Sequence, residues 1–167
     1  MQYTKYYSSP IGILEISASD LYLTHVLFRE AQKKPSRQLE ETPENSPIID
    51  ECIKQFDAYF AGKLKDFDIP MLAQGTDFQR TVWESLKTIP YGKTVSYLEL
   101  SRRIGNEKAI RAVGTANGCN PLTIILPCHR VIGSDGSLVG YGGDLWRKEW
   151  LLRHEGSLPK QEQLELF

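Results

Sequence analysis

The chain has 167 residues, 41% hydrophobic and 25% charged, with a formal net charge of -1, enough for one ordinary core or two small lobes of a soluble globular protein. No apolar run is long enough to span a bilayer and the opening Met1-Gln2-Tyr3-Thr4-Lys5-Tyr6 lacks the apolar centre of a secretion signal, so a cytoplasmic protein with no membrane partner is expected. Cys52, Cys119 and Cys128 form no paired framework and match no zinc spacing with His129, so neither a disulfide scaffold nor a metal is expected, and a reducing compartment is.

The chain reads as a lobe over residues 1–75, a second domain over 76–156 and a flexible tail over 157–167. These carry 8, 11 and 1 Lys+Arg against 11, 8 and 2 Asp+Glu, or net charges of -3, +3 and -1. The middle piece is the basic one, and its modest excess predicts weak, salt-sensitive attraction to a phosphate backbone.

In the first lobe, residues 3–8, 11–18 and 21–28 are rich in strand-forming side chains and separated by Ser-Ser-Pro and Ser-Asp turn signals, which predicts an antiparallel meander. Residues 29–47 read as a loop. Ser46 is placed to cap a helix that begins at Pro47, carries Ile48, Ile49, Cys52, Ile53, Phe56 and Phe60 at helical spacing and stops before Gly62. Cys52 lies on that apolar stripe and reads as an inert core thiol.

In the second domain, Thr76-x-x-Gln79 is a capping box opening a helix with Phe78, Val82, Trp83 and Leu86 inward, closed by Pro90-Tyr91-Gly92. A second box, Ser96-x-x-Glu99, starts a helix running to Gly105. Asn106 then caps a third, over roughly residues 107–117. Two short helices joined by a tight Gly-containing turn form a helix-turn-helix pattern. The second of them carries Ala109, Ala112, Gly114, Ala116 and Gly118, so a partner can approach its backbone closely, and Arg111 stands out among them.

Leu122 to Leu126, bounded by Pro121 and Pro127, reads as a buried extended segment that delivers Cys128 at its end. A cysteine becomes nucleophilic beside a basic or cationic group. Neighbours in an extended chain point to opposite sides, so His129 can serve Cys128 only if the backbone turns sharply or water relays the proton. Downstream, Glu155 falls in the last turn of a helix, just before the Gly156 stop. A carboxylate there opposes the helix dipole.

Ile110-Arg111-Ala112-Val113-Gly114, Asn120-Pro121, Pro127-Cys128-His129-Arg130-Val131-Ile132-Gly133, Gly140-Tyr141-Gly142-Gly143 and Glu149-Trp150-Leu151-Leu152-Arg153-His154-Glu155 together resemble the O6-alkylguanine-DNA alkyltransferase family. The resemblance is close over residues 76–156 and loose over the N-terminal half. It implies an α+β protein, with a small antiparallel-sheet lobe of ribonuclease H-like kind and a helical domain of winged helix-turn-helix kind. By that likeness Cys128 takes the alkyl group from O6-methylguanine in duplex DNA once and irreversibly, after the base is flipped out; O4-methylthymine is a further candidate lesion. His129 takes the thiol proton through water, Glu155 orients the imidazole, and Asn120 braces the turn before the cysteine. Tyr97, Arg111, Ala112, Arg130, Val131, Tyr141 and Gly143 are expected at the DNA and base, with Arg111 filling the space the base leaves. No cofactor is implied, and a monomeric, nucleoid-associated bacterial protein is.

Gly118 and Cys119 stand where relatives often carry a basic residue or glycine, which puts DNA contacts there in doubt. The chain ends Gln163-Leu164-Glu165-Leu166-Phe167. This resembles the short peptides that dock on the bacterial DNA sliding clamp, so Gln163, Leu164, Leu166 and Phe167 are expected to bind that partner.

Overall fold

The computed structural model describes residues 1–31, 39–139, 141 and 144–158. Strands β1 (Tyr3–Ser9), β2 (Gly12–Ala18) and β3 (Leu23–Phe28) form an antiparallel sheet in the order β1-β2-β3. Tyr3 faces Ala18 and Ser9 faces Gly12 across the first hairpin. Gly12 closes that hairpin with φ of 119°, a conformation L side chains rarely adopt.

Alternation along β2 predicts one wet face, yet both faces are covered: Leu14, Ile16 and Ala18 on one, Glu15 and Ser17 on the other, are all buried. The second face lies under residues 39–42, which strap across the sheet. Leu39 N donates to Glu15 Oε1 (2.7 Å), Tyr6 N to Glu41 Oε1 (2.8 Å), Thr42 N to Thr4 O (3.0 Å) and Thr4 N to Thr42 Oγ1 (3.1 Å). A buried carboxylate is tolerable there because the strap supplies its donor.

Helix α1 (Pro47–Phe60) packs Ile49, Cys52, Phe56 and Tyr59 beneath the sheet; Ser46 caps it as expected, its hydroxyl accepting from Ile49 N (3.2 Å). Helix α2 (Asp77–Leu86) opens with the complete Thr76/Gln79 box. It closes at Leu86, before Pro90, and Phe78 faces outward instead of inward, 36% exposed. In the first turn of a helix a residue next to the cap can point away from the core that begins at Val82.

The short strand β4 (Val95–Ser96) leads into α3 (Tyr97–Arg103). Ser96 accepts from Glu99 N (3.0 Å), but the reciprocal half of that box is replaced by a Glu99–Arg103 pair. After Gly105 (φ 79°), a 3-10 turn over Glu107–Ala109 precedes α4 (Ile110–Gly118), and Asn106 makes no side-chain cap. The expected third helix is therefore split into a turn and a shorter helix. Strand β5 (Val131–Ile132) pairs in parallel with β4, and α5 (Leu145–His154) completes the domain. None of the described helices is long and apolar enough to cross a membrane.

Two segments, one shortly before the second domain and one inside it, are tied to the outer edge of β3. Leu23 N donates to Pro70 O (2.8 Å) and Leu72 N to Leu23 O (2.9 Å); Val26 N donates to Pro121 O (2.8 Å) and Thr123 N to Val26 O (3.1 Å). The sheet edge is thus closed by the segment that leads to Cys128.

Thr76→Ala removes a cap whose hydrogen bonds reach only Gln79; it is expected to lower stability by about 1 kcal/mol in urea unfolding while leaving the activity proposed below unchanged.

Candidate active site

The segment before Cys128 is a tight turn, not the extended strut its composition predicts. Ile124, buried and β-branched, has φ of 73°, a strain of roughly 1–3 kcal/mol that persists only where the surroundings over-determine it. Asn120 does the determining: its amide donates to Leu126 O (2.7 Å) and Leu122 O (3.4 Å), and its carbonyl accepts from Leu122 N (2.9 Å). Leu126 N also closes on Leu122 O (2.9 Å). The bracing role expected of Asn120 is the one its contacts describe.

Pro127 (φ -79°, ψ 65°) forms an inverse γ-turn, with Cys128 N donating to Leu126 O at 2.7 Å. Cys128–Arg130 then coil into a 3-10 turn. The backbone thus turns sharply, but the turn alone brings no hydrogen bond between the Cys128 thiol and His129, whose Nδ1 has no partner among the described residues. Cys128 is 3% exposed, and burial raises its thiol pKa, opposed by Asn120, Lys148 and Thr123. Its carbonyl accepts from Asn117 Nδ2 (3.2 Å).

Behind the thiol lies a buried polar cluster. Glu155 Oε1 accepts from Arg130 Nε (2.7 Å); Oε2 accepts from His129 Nε2 (2.8 Å), the Tyr59 hydroxyl (2.6 Å) and the second arm of Arg130 (3.1 Å). Burial alone would raise the carboxyl pKa of Glu155, but His129 and Arg130 outweigh it and hold the group well below the usual carboxylate range. Burial depresses the imidazole of His129 against the pull of Glu155, so it rests neutral. Because an ionised carboxylate only accepts, Nε2 must carry the imidazole hydrogen. Nδ1 is then a bare lone pair, buried and without a partner among the described residues. That is a base waiting for a proton.

Tyr97 is buried and its hydroxyl donates to Val139 O (2.7 Å), while the Tyr141 hydroxyl lies 3.0 Å from Thr123 Oγ1. Lys148 is fully buried and donates to Val131 O (2.5 Å) and Val139 O (2.7 Å); burial lowers its pKa to about 8, although Cys128 opposes the shift. On the other side, α4 presents Ile110, Arg111, Ala112 and Thr115 to solvent. An accessible arginine thus sits beside an accessible alanine on α4.

Two expected contacts need correction. Arg130 is not available to DNA: it is 6% exposed, its guanidinium being spent on Glu155 and on Ile89 O (2.7 Å). Val131 is fully buried in the strand facing Val95, and its carbonyl is taken by Lys148, so its side chain meets no base. Gly143, together with Gln163, Leu164, Leu166 and Phe167, lies outside the described residues.

Three participants were missed by reading the sequence. Lys148 falls three, four and seven residues before Leu151, Leu152 and Glu155, so helical spacing places it on the buried face. Asn117 is likewise four after Val113. Tyr59 follows Phe56 by three on the apolar stripe, but no local signal says that its hydroxyl reaches Glu155.

Two family models match this chain. The ribonuclease-like domain of 6-O-methylguanine DNA methyltransferase matches residues 2–73, and the DNA binding domain of the same family matches residues 77–157. A methylated-DNA--protein-cysteine methyltransferase of Methanosarcina acetivorans is 46% identical over 159 residues, spanning 93% of this chain and 99% of its own length. The protein of that name from Mycobacterium tuberculosis H37Rv is 48% identical over 149 residues, 89% of either chain. Among solved structures, M. tuberculosis O6-methylguanine methyltransferase superposes with a TM-score of 0.82 at 43% identity over 99% of both chains. M. tuberculosis OGT in complex with DNA gives 0.83 at 45% identity over 92% of both.

The cluster also sets the response to acid. His129 binds its proton more readily unfolded than folded, and so does Glu155, so each contributes stability that is present at neutral pH and lost on acidification. Stability is expected to fall from about pH 6.5 downward as His129 begins to favour the unfolded chain, and again below about pH 4.3 through Glu155. Equilibrium urea unfolding across that range checks the slope, and Glu155→Gln flattens its lower part. Arg130→Met leaves the carboxylate buried without its cation and is expected to cost about 3–5 kcal/mol at pH 7.

Proposed function

The chain belongs to the 6-O-methylguanine DNA methyltransferase family, and from that premise we propose that it repairs O6-methylguanine in duplex DNA by direct transfer of the methyl group to Cys128. What carries the assignment to this cysteine is the buried thiol on a turn whose next residue, His129, keeps a bare Nδ1 while Glu155 holds its other nitrogen.

The chemistry balances with side chains alone. The Cys128 proton passes through water to His129 Nδ1; Sγ attacks the methyl carbon, an S–C bond forms, the C–O6 bond breaks, and its electron pair stays on guanine. Guanine takes up one proton from Tyr97, whose hydroxyl exchanges Val139 O for the base, and the proton held by His129 passes through water to Tyr97, so that both side chains end neutral. Glu155 compensates the transient imidazolium. The product thioether is a poor leaving group, so each molecule acts once.

A thiol that is 3% exposed cannot reach a base still stacked in a duplex. The lesion must therefore be everted, which an O6-alkylated base allows at reduced cost because it pairs poorly. The small-residue face of α4 lets the duplex approach, Arg111 occupies the space left in the stack, and Tyr141 walls the pocket. Binding itself rests on phosphate contacts and is salt-sensitive. The tail Gln163-Leu164-Glu165-Leu166-Phe167 is proposed to dock a monomer of this protein on the sliding clamp.

Incubation with duplex DNA bearing one O6-methylguanine is expected to add a single methyl to the Cys128 peptide, read by mass, with no second turnover. Demethylation by Cys128→Ala, or repeated turnover by the native chain, overturns the reading. Arg111→Ala is expected to slow transfer from duplex roughly tenfold or more, because eversion loses its substitute in the stack, and to leave transfer from free O6-methylguanine unchanged. Removal of residues 163–167 should abolish clamp binding and spare methyl transfer; clamp binding that survives removes that partner.

A further inference from the structure

Tyr59 lies in α1, 96 residues before Glu155 in the chain, and is fully buried. Its ring packs edge-on to Phe60 (centroids 5.1 Å apart) and Tyr91 (6.3 Å) and is tilted against Phe67 (5.3 Å) and His154 (5.1 Å). Its carbonyl accepts from His154 Nε2 (2.8 Å). A phenylalanine would meet all of these demands. The hydroxyl is the part that packing does not explain.

That hydroxyl donates at 2.6 Å to Glu155 Oε2, the same oxygen that accepts from His129 Nε2. With only Arg130 as a partner, a carboxylate settles in the symmetric two-armed fork that guanidinium prefers. Here Arg130 does make the fork, but unevenly, at 2.7 Å to Oε1 and 3.1 Å to Oε2, and Oε2 accepts in addition from Tyr59 on α1 and from His129 on the 3-10 turn; it is the oxygen turned to the imidazole.

We infer that Tyr59 is a positioning residue of the alkyl transfer: its hydroxyl fixes Glu155 Oε2 against His129, so that Nδ1 is the nitrogen left to take the thiol proton. The inference rests on the reading of Cys128 as the alkyl acceptor. It makes the sheet-bearing lobe a contributor to the chemistry as well as a support for it.

Among the described residues, the charged and titratable groups facing this cluster are Cys128, His129 and Arg130 on the turn, Lys148, His154 and Glu155 from α5 and its end, Tyr91 from the loop after α2 and Tyr141 from the loop before α5. Lys148 and Arg130 oppose protonation of His129, and Glu155 favours it. Tyr59 draws part of the carboxylate charge to its own proton. Without the hydroxyl, more of that charge falls on the imidazole, the imidazolium is favoured, and less free base remains at a given pH. The acidic limb of the rate profile must then move to higher pH.

Second-order rate constants for methyl transfer from an O6-methylguanine duplex, measured across the acidic and neutral range, test this. Tyr59→Phe is expected to move the acidic limb up by roughly half a unit to one unit, so that transfer in acid is about three- to tenfold slower while duplex affinity is unchanged. Placing 3-fluorotyrosine at position 59, which preserves the shape and donates more strongly, moves the limb down. Phe67→Leu disturbs the same ring cluster; it lowers the thermal midpoint and leaves the limb in place. Nitrogen-15 NMR of His129 in the native chain should show hydrogen on Nε2 and none on Nδ1.

An unmoved limb in both position-59 proteins, or hydrogen on Nδ1 of the native chain, overturns the inference. The fluorinated protein and the native spectrum decide the matter even if Tyr59→Phe does not fold. Absence of any methyl on native Cys128 overturns the functional reading instead, and the NMR result is independent of it.

Discussion

A carboxylate taken out of water is stable only if enough donors surround it, and Glu155 is where this chain concentrates them. Four contacts reach its two oxygens: both arms of Arg130, the His129 imidazole and the Tyr59 hydroxyl. Each donor is on a different part of the scaffold from the acceptor. The turn that carries Cys128, the end of α5 and the helix under the N-terminal sheet therefore cannot move independently without stranding a charge. Arg130 extends the tie to the Ile89 carbonyl. Fold stability and imidazole orientation are properties of one ion cluster, so a change that loosens it weakens both.

The cysteine turn obeys a similar logic with backbone in place of charge. A β-branched residue with positive φ is unfavourable in isolation, and Ile124 keeps that conformation because Asn120 fastens the chain on either side of it and because Thr123 is bonded to Val26 in β3. The inverse γ-turn at Pro127 then reverses the chain within a few residues. Together these place the thiol below the surface and the imidazole behind it, which an extended run ending at Pro127 could not do. The N-terminal lobe thus braces the turn twice, through Val26 of the sheet at one end and through Tyr59 of α1 at the other.

What was legible in the sequence follows from the range of the interactions. Caps are local, so Ser46, Thr76 and Ser96 could be read directly, and the sheet strands were found to within about two residues, the ordinary error of element ends. Asn106 failed because the chain enters α4 through a 3-10 turn instead of a side-chain cap. Arg130 failed for another reason: a charged residue is by default assigned to solvent, and its partner Glu155 lies 25 residues away. Lys148, Asn117 and Tyr59 share that difficulty, since helical periodicity can place a polar residue on a buried face without saying what it meets there. The motif made Glu155 conspicuous through an anion at the wrong helix end; the structure supplies the four donors that make it acceptable.

A thiol that is consumed by its reaction must stay inert until the right alkyl group arrives. Cys128 has the means: burial raises its pKa, and Nδ1 of a neutral His129 offers basicity without a permanent positive charge to stabilise thiolate. Cys52 shows what burial does with nothing to oppose it, its thiol being pushed up to about 12. At Cys128, Asn120, Thr123 and Lys148 pull the other way. Thiolate therefore remains scarce at rest, and on the proposed mechanism the nucleophile forms only through a proton transfer inside the pocket. Exposure to small electrophiles in bulk water is low for the same reason that a stacked base is out of reach. On the proposed mechanism, the burial that makes the lesion leave the helix also protects the single-use sulfur before it does.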